Sequence, residues 1–287
     1  MIVFVDENIS GQRRRRRLDK KVKRACDPID KSPRVEFTSR SFIRPTSIKQ
    51  GGLLKNRTTG RNGTLGMVAR AQDRREQVDE QETVVALTSG HYFKEGDIAV
   101  GYLGAQNETE TDLGPCIASL LGSTDVAVIK ISESDTYSFN FCDENDKRCN
   151  CVPLKHEMKM HDIVYKRGSI SGLTKGYILS PDFQVNNSEN TGRQGEPQKG
   201  FLIEGANRTA FAVQGDSGSV VFSPDLGDME KETVQLVSIQ SSTIELRAGQ
   251  MRFEQKFSFA VRADRCFEML RDEKEIEMNI PTKQDMD

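Results

Sequence analysis

Ser217 stands in the middle of Gly215-Asp216-Ser217-Gly218-Ser219, between the apolar runs TAFAV and VVF. A serine hydroxyl is a weak nucleophile. A chain that uses one must hold it on a tight, glycine-flanked turn beside backbone N–H donors and within reach of a base. GDSGS supplies such a turn. The same residue types also build ordinary hairpins, so the chemical reading depends on a base and an orienting acid elsewhere.

The search for the base is short, because the chain holds 3 histidines: His91, His156 and His161. His91 ends Ala86-Leu87-Thr88-Ser89-Gly90-His91, directly after a β-branched run, where a strand end presents an imidazole to a cleft. His156 and His161 lie in the charged stretch KHEMKMHD and read as surface or structural residues. The orienting acid should sit at a strand edge with an apolar run behind it, which buries part of its carboxylate. Asp125, opening Asp125-Val126-Ala127-Val128-Ile129, fits best. Ser-Thr-Asp is also a common strand entry, so the signal gains its force from order: His91, then Asp125, then Ser217.

These residues must be positioned by a scaffold, and the composition allows one. The chain has 287 residues, 36% hydrophobic and 29% charged, enough for one large or two small domains around a full core. Its net charge of −2 hides an asymmetry: residues 1–60 carry 16 Lys and Arg against 6 Asp and Glu, and the remainder is correspondingly acidic. The six cysteines, Cys26, Cys116, Cys142, Cys149, Cys151 and Cys266, are too sparse for a disulfide framework. The opening MIVFVDENIS does not fit a secretory leader, and no later run approaches a membrane span. An intracellular protein, cytoplasmic or nuclear, with no membrane contact is expected.

Along the chain, residues 1–60 read as a basic, disordered arm, since Arg13 to Arg17 and LDKKVKR are followed by a Ser/Thr/Pro/Gly-rich stretch without apolar period. Such an arm is a nuclear-import or polyanion-binding segment, or merely a solvated charge run. From residue 61 the texture changes to short runs such as ETVVALTS, DVAVIKI, GFLIEG and KFSFAV, bounded by turn residues. That is the signature of an all-β sandwich or barrel. Ala263 to Leu270 has helical apolar spacing. Residues 274–287 read as a disordered acidic tail.

The same residues resemble the chymotrypsin-like serine peptidases, whose chain order is also histidine, aspartate, serine. ALTSGH is similar to the family's T-A-[AG]-H strand end, TDVAVIKI to its D-[IV]-A-[LV] strand, and GDSGSVVF to its GDSGGP turn. Tyr165-Lys166-Arg167-Gly168 with Gly172-Leu173-Thr174-Lys175-Gly176 resembles the K-x-G…G-x-T-x-G hairpin of bacterial-type members. VQLVSIQSS, FSFAV and the terminal helix resemble the closing elements of the second barrel. The resemblance implies two packed six-stranded antiparallel barrels, the first over about 61–137 and the second over about 150–262, with a C-terminal helix at 263–273. It implies a serine endopeptidase acting on protein or peptide substrates through His91, Asp125 and Ser217, with no cofactor. Gly215 and Ser217 would supply the oxyanion hole. Phe211, Gln214 and Ser241 to Thr243 (Ser241, Ser242, Thr243) would bind substrate, Ser241 also bonding the aspartate.

The departures are informative. Tyr92 and Val213 stand where secreted digestive members carry disulfide cysteines, which points to cysteine-poor bacterial or intracellular types. No activation sequence precedes the barrel, so Asp216 needs a partner other than a newly cut N-terminus. Phe211 at the pocket base argues against Lys or Arg preference. Cys142, Cys149 and Cys151 with His156 do not have a common zinc spacing and read as loop thiols rather than a metal site. Two other classes remain open: a catalytically silent protease-like binding module, and a nucleic-acid or nuclear partner acting through the arm.

Overall fold

Val-, Ile- and Ala-rich runs of alternating exposure form strands because each can bury one face or both. The computed structural model describes residues 49–75, 82–103, 109–132, 137–139, 141–185, 197–224, 233–248 and 251–280. Arg13 to Arg17, and most of the arm assigned to residues 1–60, lie outside the described residues.

The first set of strands is β1 (Leu53–Asn56), β2 (Asn62–Thr64), β3 (Met67–Asp73), β4 (Thr83–Thr88), β5 (Ile98–Leu103), β6 (Thr109–Leu121) and β7 (Asp125–Lys130). Their antiparallel pairings run β1-β5-β6-β7-β4-β3, and β2 returns the ring to β1. Only Leu65 and Gly66 separate β2 from β3, so one bent strand pairs at both ends and closes a six-stranded barrel. The second set is β8 (Phe141–Cys142), β9 (Arg148–Pro153), β10 (Ile163–Gly168), β11 (Gly172–Val185), β12 (Gln198–Gly205), β13 (Val220–Pro224), β14 (Thr233–Ala248) and β15 (Met251–Arg262). Here β10-β11-β12-β15-β14-β13 close directly, through the β13–β10 pairing. Chain order and closure give the expected pair of six-stranded barrels.

Alternation along single strands explains how the barrels pack. Val126 and Val128 of β7 join a core shared by both barrels, whereas Ala127 and Ile129 point into the first barrel's own interior. On β13, Val220 and Phe222 face the shared core and Val221 the second barrel's interior. These strands are therefore apolar on consecutive positions rather than alternate ones. One end of β7 carries Asp125, so the acid is anchored by a strand held on both faces.

The chain then turns into helix α1 (Ala263–Lys274), which buries Ala263, Cys266, Met269 and Leu270 along one stripe. Asp264 lies in its first turn, and Arg271 and Lys274 in its last, matching the helix dipole. The Cys266 thiol and the Thr124 hydroxyl are 2.9 Å apart, and the Ser123 hydroxyl lies 3.3 Å from Met269 Sδ. The helix thus clamps the residues that lead into Asp125.

Two expectations about boundaries are corrected. The region assigned to a disordered arm already contains β1 and buried Asn56, whose side-chain amide donates to the Tyr92 carbonyl at 2.8 Å. Its oxygen accepts from the Thr58 and Thr59 amides, so one polar residue ties the first hairpin to the His91 turn. The acidic tail holds strand β16 (Ile276–Asn279), antiparallel to β3, with Ile276 fully buried. Its four-residue pattern is too short to stand out beside acidic neighbours. Outside the six antiparallel strands of the second barrel, β9 adds to β14 in parallel, from Thr233 opposite Asn150 to Leu236 opposite Pro153.

Candidate functional site

The turn after β4 carries the first group. Gly90–Tyr92 form one 3-10 turn directly after Ser89, which projects the His91 ring from the strand end. Asp125, at the start of β7, meets it: His91 Nδ1 lies 2.8 Å from Asp125 Oδ2, and the His91 amide donates to Oδ1 at 2.9 Å. Two hydroxyls also donate to Oδ2, Ser241 at 2.6 Å and Ser89 at 2.8 Å. Burial pushes the Asp125 carboxyl up, but the hydrogen bond and charge of His91, with the two hydroxyls, outweigh it and hold it below the usual range.

Ser89 adds a logical constraint on the imidazole. Its oxygen lies 2.7 Å from His91 Nδ1, while its single proton goes to the Asp125 carboxylate. Towards the ring it can only accept, so Nδ1 carries a proton, and in the neutral tautomer Nε2 is then the acceptor nitrogen. The Tyr92 ring packs beside His91 with centroids 4.0 Å apart. It also fills the space over Gly63, where a Cβ would lie 2.7 Å from Tyr92 Cδ2.

The second barrel contributes the serine. Ser217 lies in the turn between Val213 and Val220, where Gly215 and Gly218 have φ of 98° and 93°. Both values suit glycine, and a Cβ on Gly215 would also come within 2.7 Å of Ile170. The Asp216 amide donates to Val213 O, the Gly218 amide to Gln240 O and the Ser219 amide to Asp216 O. Among the described residues, the Gly215 and Ser217 amides donate to nothing within the protein. Two unused donors flanking one hydroxyl are what a developing oxyanion needs. The Ser217 hydroxyl itself donates to the Ser241 carbonyl at 2.7 Å. Among the described residues no hydrogen bond joins it to the His91 ring.

Asp216 has the partner its position demands. Lys166 Nζ lies 2.9 Å from Asp216 Oδ2 and donates to Ser171 Oγ at 2.8 Å, and both charged side chains are fully buried. The other carboxylate contacts are backbone amides: Ile170 and Ser171 on Oδ1, and Val213 on Oδ2. Burial pushes the Asp216 carboxyl up, but the charge and hydrogen bond of Lys166, with the Ser171 and Val213 bonds, together outweigh it and hold it below the usual range. Burial in turn pulls the Lys166 ammonium down, with Asp216 opposing. An internal lysine thus locks the turn that carries Ser217.

A cleft of about 740 Å³ is lined by His91, Asp125, Ser217, Gln214, Ser241, Ser242 and Thr243. Beyond Ile239, β14 pairs only with β15 among the described residues, so the edge at Ser241 to Thr243 is open for an added strand. Phe211 is the exception among the expected residues. It is fully buried in the second barrel's interior, its ring centroid 5.6 Å from Lys166 Nζ, and does not line the cleft. Counting residues back from the serine locates a backbone position, but the apolar side chain turns inward to cover the lysine stem. Ser89, Gln198, Gln240 and Arg61 also meet the cleft or its acid, and none was selected from the sequence.

Cys149 and Cys151 are buried in the shared core. Burial pushes the Cys149 thiol up to about 12 and the Cys151 thiol higher, which disfavours the thiolate a metal requires. Among the described residues no group of three or more His, Cys, Asp or Glu could hold a metal ion. No described helix is long and apolar enough to cross a membrane.

Similar solved structures are bacterial serine proteases. Protease A of Thermobifida fusca matches at 16% identity and a TM-score of 0.53, over 82% of this chain and 100% of its own. The chymotrypsin of Cellulomonas bogoriensis matches at 15% identity and 0.52, over 83% and 100%. A Nocardiopsis protease matches at 16% identity and 0.50, over 81% and 99%. The sequence matches no protein-family profile and no curated protein. The chain has the chymotrypsin-like fold.

Proposed function

We propose that this protein is a serine endopeptidase, with residues 49–280 as its peptidase domain. Ser217 Oγ attacks the scissile carbonyl while His91 Nε2 takes its proton. The imidazolium then gives that proton to the departing amine, and an acyl-enzyme forms on Ser217. Water, activated by His91, hydrolyses it and restores the serine. Asp125 stabilises the transient imidazolium. The Gly215 and Ser217 amides hold the oxyanion, each donor supplying about 3 kcal/mol of transition-state stabilisation. The observation that carries this reading is the pair of unused amides beside a hydroxyl, in the same cleft as a His91 that is hydrogen-bonded to a buried carboxylate.

Catalysis requires the Ser217 hydroxyl to rotate from the Ser241 carbonyl to His91 Nε2. That single side-chain torsion is soft, and a substrate strand beside Ser241 supplies the N–H that replaces the lost donor. The present position of the hydroxyl favours one second reading, a protease-like binding module that retains the groove without turnover. A fluorophosphonate probe separates the two. Labelling of wild type, lost in Ser217→Ala and His91→Ala, is expected; folded wild-type protein that resists the probe overturns the enzyme reading.

A further inference from the structure

Among the described residues that line the cleft, Gln240 carries a buried side-chain oxygen without a hydrogen-bond partner. Gln240, on β14, is 1% exposed and lines the cleft beside Ser217 and Ser241. Its backbone bridges the nucleophile's turn, accepting from the Gly218 amide at 2.8 Å and donating to the Ser219 carbonyl at 2.9 Å. Its side-chain amide donates to the Ser242 carbonyl at 2.8 Å. A carbonyl can only accept, so the atom facing Ser242 is the NH2 and the remaining atom is the oxygen. That oxygen, Oε1, is buried and has no hydrogen-bond partner. A buried acceptor left unpaired is costly, and in a binding cleft its natural partner is a ligand donor.

The charges around it narrow the donor. Among the described residues Asp125 is the only carboxylate lining the cleft, and its oxygens are taken by His91, Ser89 and Ser241. A lysine or arginine side chain would therefore find a hydrogen bond to Gln240 but no counter-charge. Among the described residues Arg61 is the only Lys or Arg lining the cleft. An acidic side chain beside Gln240 would meet a second acceptor. A neutral amide suits the position: its NH2 pairs with Gln240 Oε1, and no charge is stranded.

We infer that the cleft selects a substrate whose scissile carbonyl belongs to a residue with a neutral hydrogen-bond-donating side chain, glutamine or asparagine, read by Gln240 Oε1. This rests on the peptidase reading and names its substrate class. The scissile carbonyl must sit between the Ser217 hydroxyl and the Gly215 and Ser217 amides. The side chain of the same residue then lies against the adjoining wall, which Gln240 shares with that turn.

The experiment is cleavage-site profiling of full-length wild type on a diverse peptide library read by mass spectrometry, run beside fluorophosphonate labelling. Glutamine or asparagine is expected before the cleaved bond, favoured over leucine or methionine by about tenfold or more in kcat/KM on matched peptides. Gln240→Met should abolish that preference, bringing kcat/KM on the glutamine peptide down to that on the matched leucine peptide. Gln240→Glu should move it towards lysine. Labelling with a wild-type preference for apolar or charged residues overturns this inference and leaves the peptidase intact. Folded wild type that does not label overturns both. The wild-type profile decides even where a variant does not fold.

Discussion

Asp125 and Asp216 are both buried aspartates at the cleft, 1% and 0% exposed, yet they are neutralised in opposite ways. Asp216 faces a buried lysine and three backbone amides, an ion pair built into the fold. Asp125 faces only neutral donors and one imidazole. Its negative charge is therefore available to a cation that appears only during reaction. A permanent counter-ion makes a structural acid; hydrogen bonds plus a titratable partner make an acid that can act. On the proposed mechanism the first barrel holds the second kind, and the second barrel the first.

The largest expected effect tests the acting acid. Asp125→Asn keeps the shape but removes the charge and offers an NH2 to His91 Nδ1, which favours the wrong tautomer. A fall of about 10⁴ in kcat/KM is expected, the size known for this substitution in such triads. Thermal unfolding should show the fold retained. A variant with near-normal turnover would remove Asp125 from the mechanism.

Lys166→Met should do the reverse, acting on stability before chemistry. It leaves Asp216 buried without its counter-charge, and breaking such a pair costs about 3–5 kcal/mol. Urea unfolding should show the loss directly. Its pH dependence sharpens the contrast. In the wild type both carboxyls are held below their usual values. Their contribution is present above the unfolded value of about 3.9 and is lost as pH falls through the folded ones. Wild-type stability should therefore decline in acid. In Lys166→Met the charge that opposes burial is gone and only the hydrogen bonds of Ser171 and the backbone amides still counter it, so the Asp216 carboxyl rises and protonation relieves the variant. The gap between the two proteins should narrow as pH falls; a constant gap would mean that the lysine contributes packing and not charge.

Gly215→Ala lies between these effects. The left-handed φ and the approach to Ile170 both oppose a Cβ, and strain of about 1–2 kcal/mol would displace an oxyanion amide. Turnover should fall further than stability does.

Much of this arrangement was legible in the sequence, and the illegible parts share a cause. His91, Asp125 and the Ser217 turn announce themselves because each sits where a periodic strand meets a turn. The two barrels follow from the repetition of short strands. Lys166 was visible only as part of a hairpin pattern; that its ammonium would be buried depends on β10 packing near residue 216, a contact 50 residues away. Phe211 was misplaced because sequence distance fixes backbone, not side-chain direction. Strand β16 and Asn56 were overlooked in acidic and basic surroundings, where local charge masks a long-range pairing. Gln240 carried no signal at all, since an unpaired oxygen is defined by what fails to surround it.

The smallest expected effect probes how finely Asp125 is tuned. Ser89 and Ser241 donate to the same oxygen, Oδ2, but only Ser89 also reaches His91 Nδ1. If both merely solvate the carboxylate, Ser89→Ala and Ser241→Ala should each lower kcat by a few-fold, in line with about 1 kcal/mol per hydrogen bond. The tautomer argument requires more of Ser89. Ring nitrogen NMR of His91 should show the Nδ1–H form in wild type and Ser241→Ala, and a measurable share of the Nε2–H form in Ser89→Ala. The KM of the two variants should also differ, because Ser241 borders the open strand edge and Ser89 does not. Equal KM and identical ring spectra would reduce Ser89 to a second copy of Ser241, leaving the imidazole oriented by Asp125 alone.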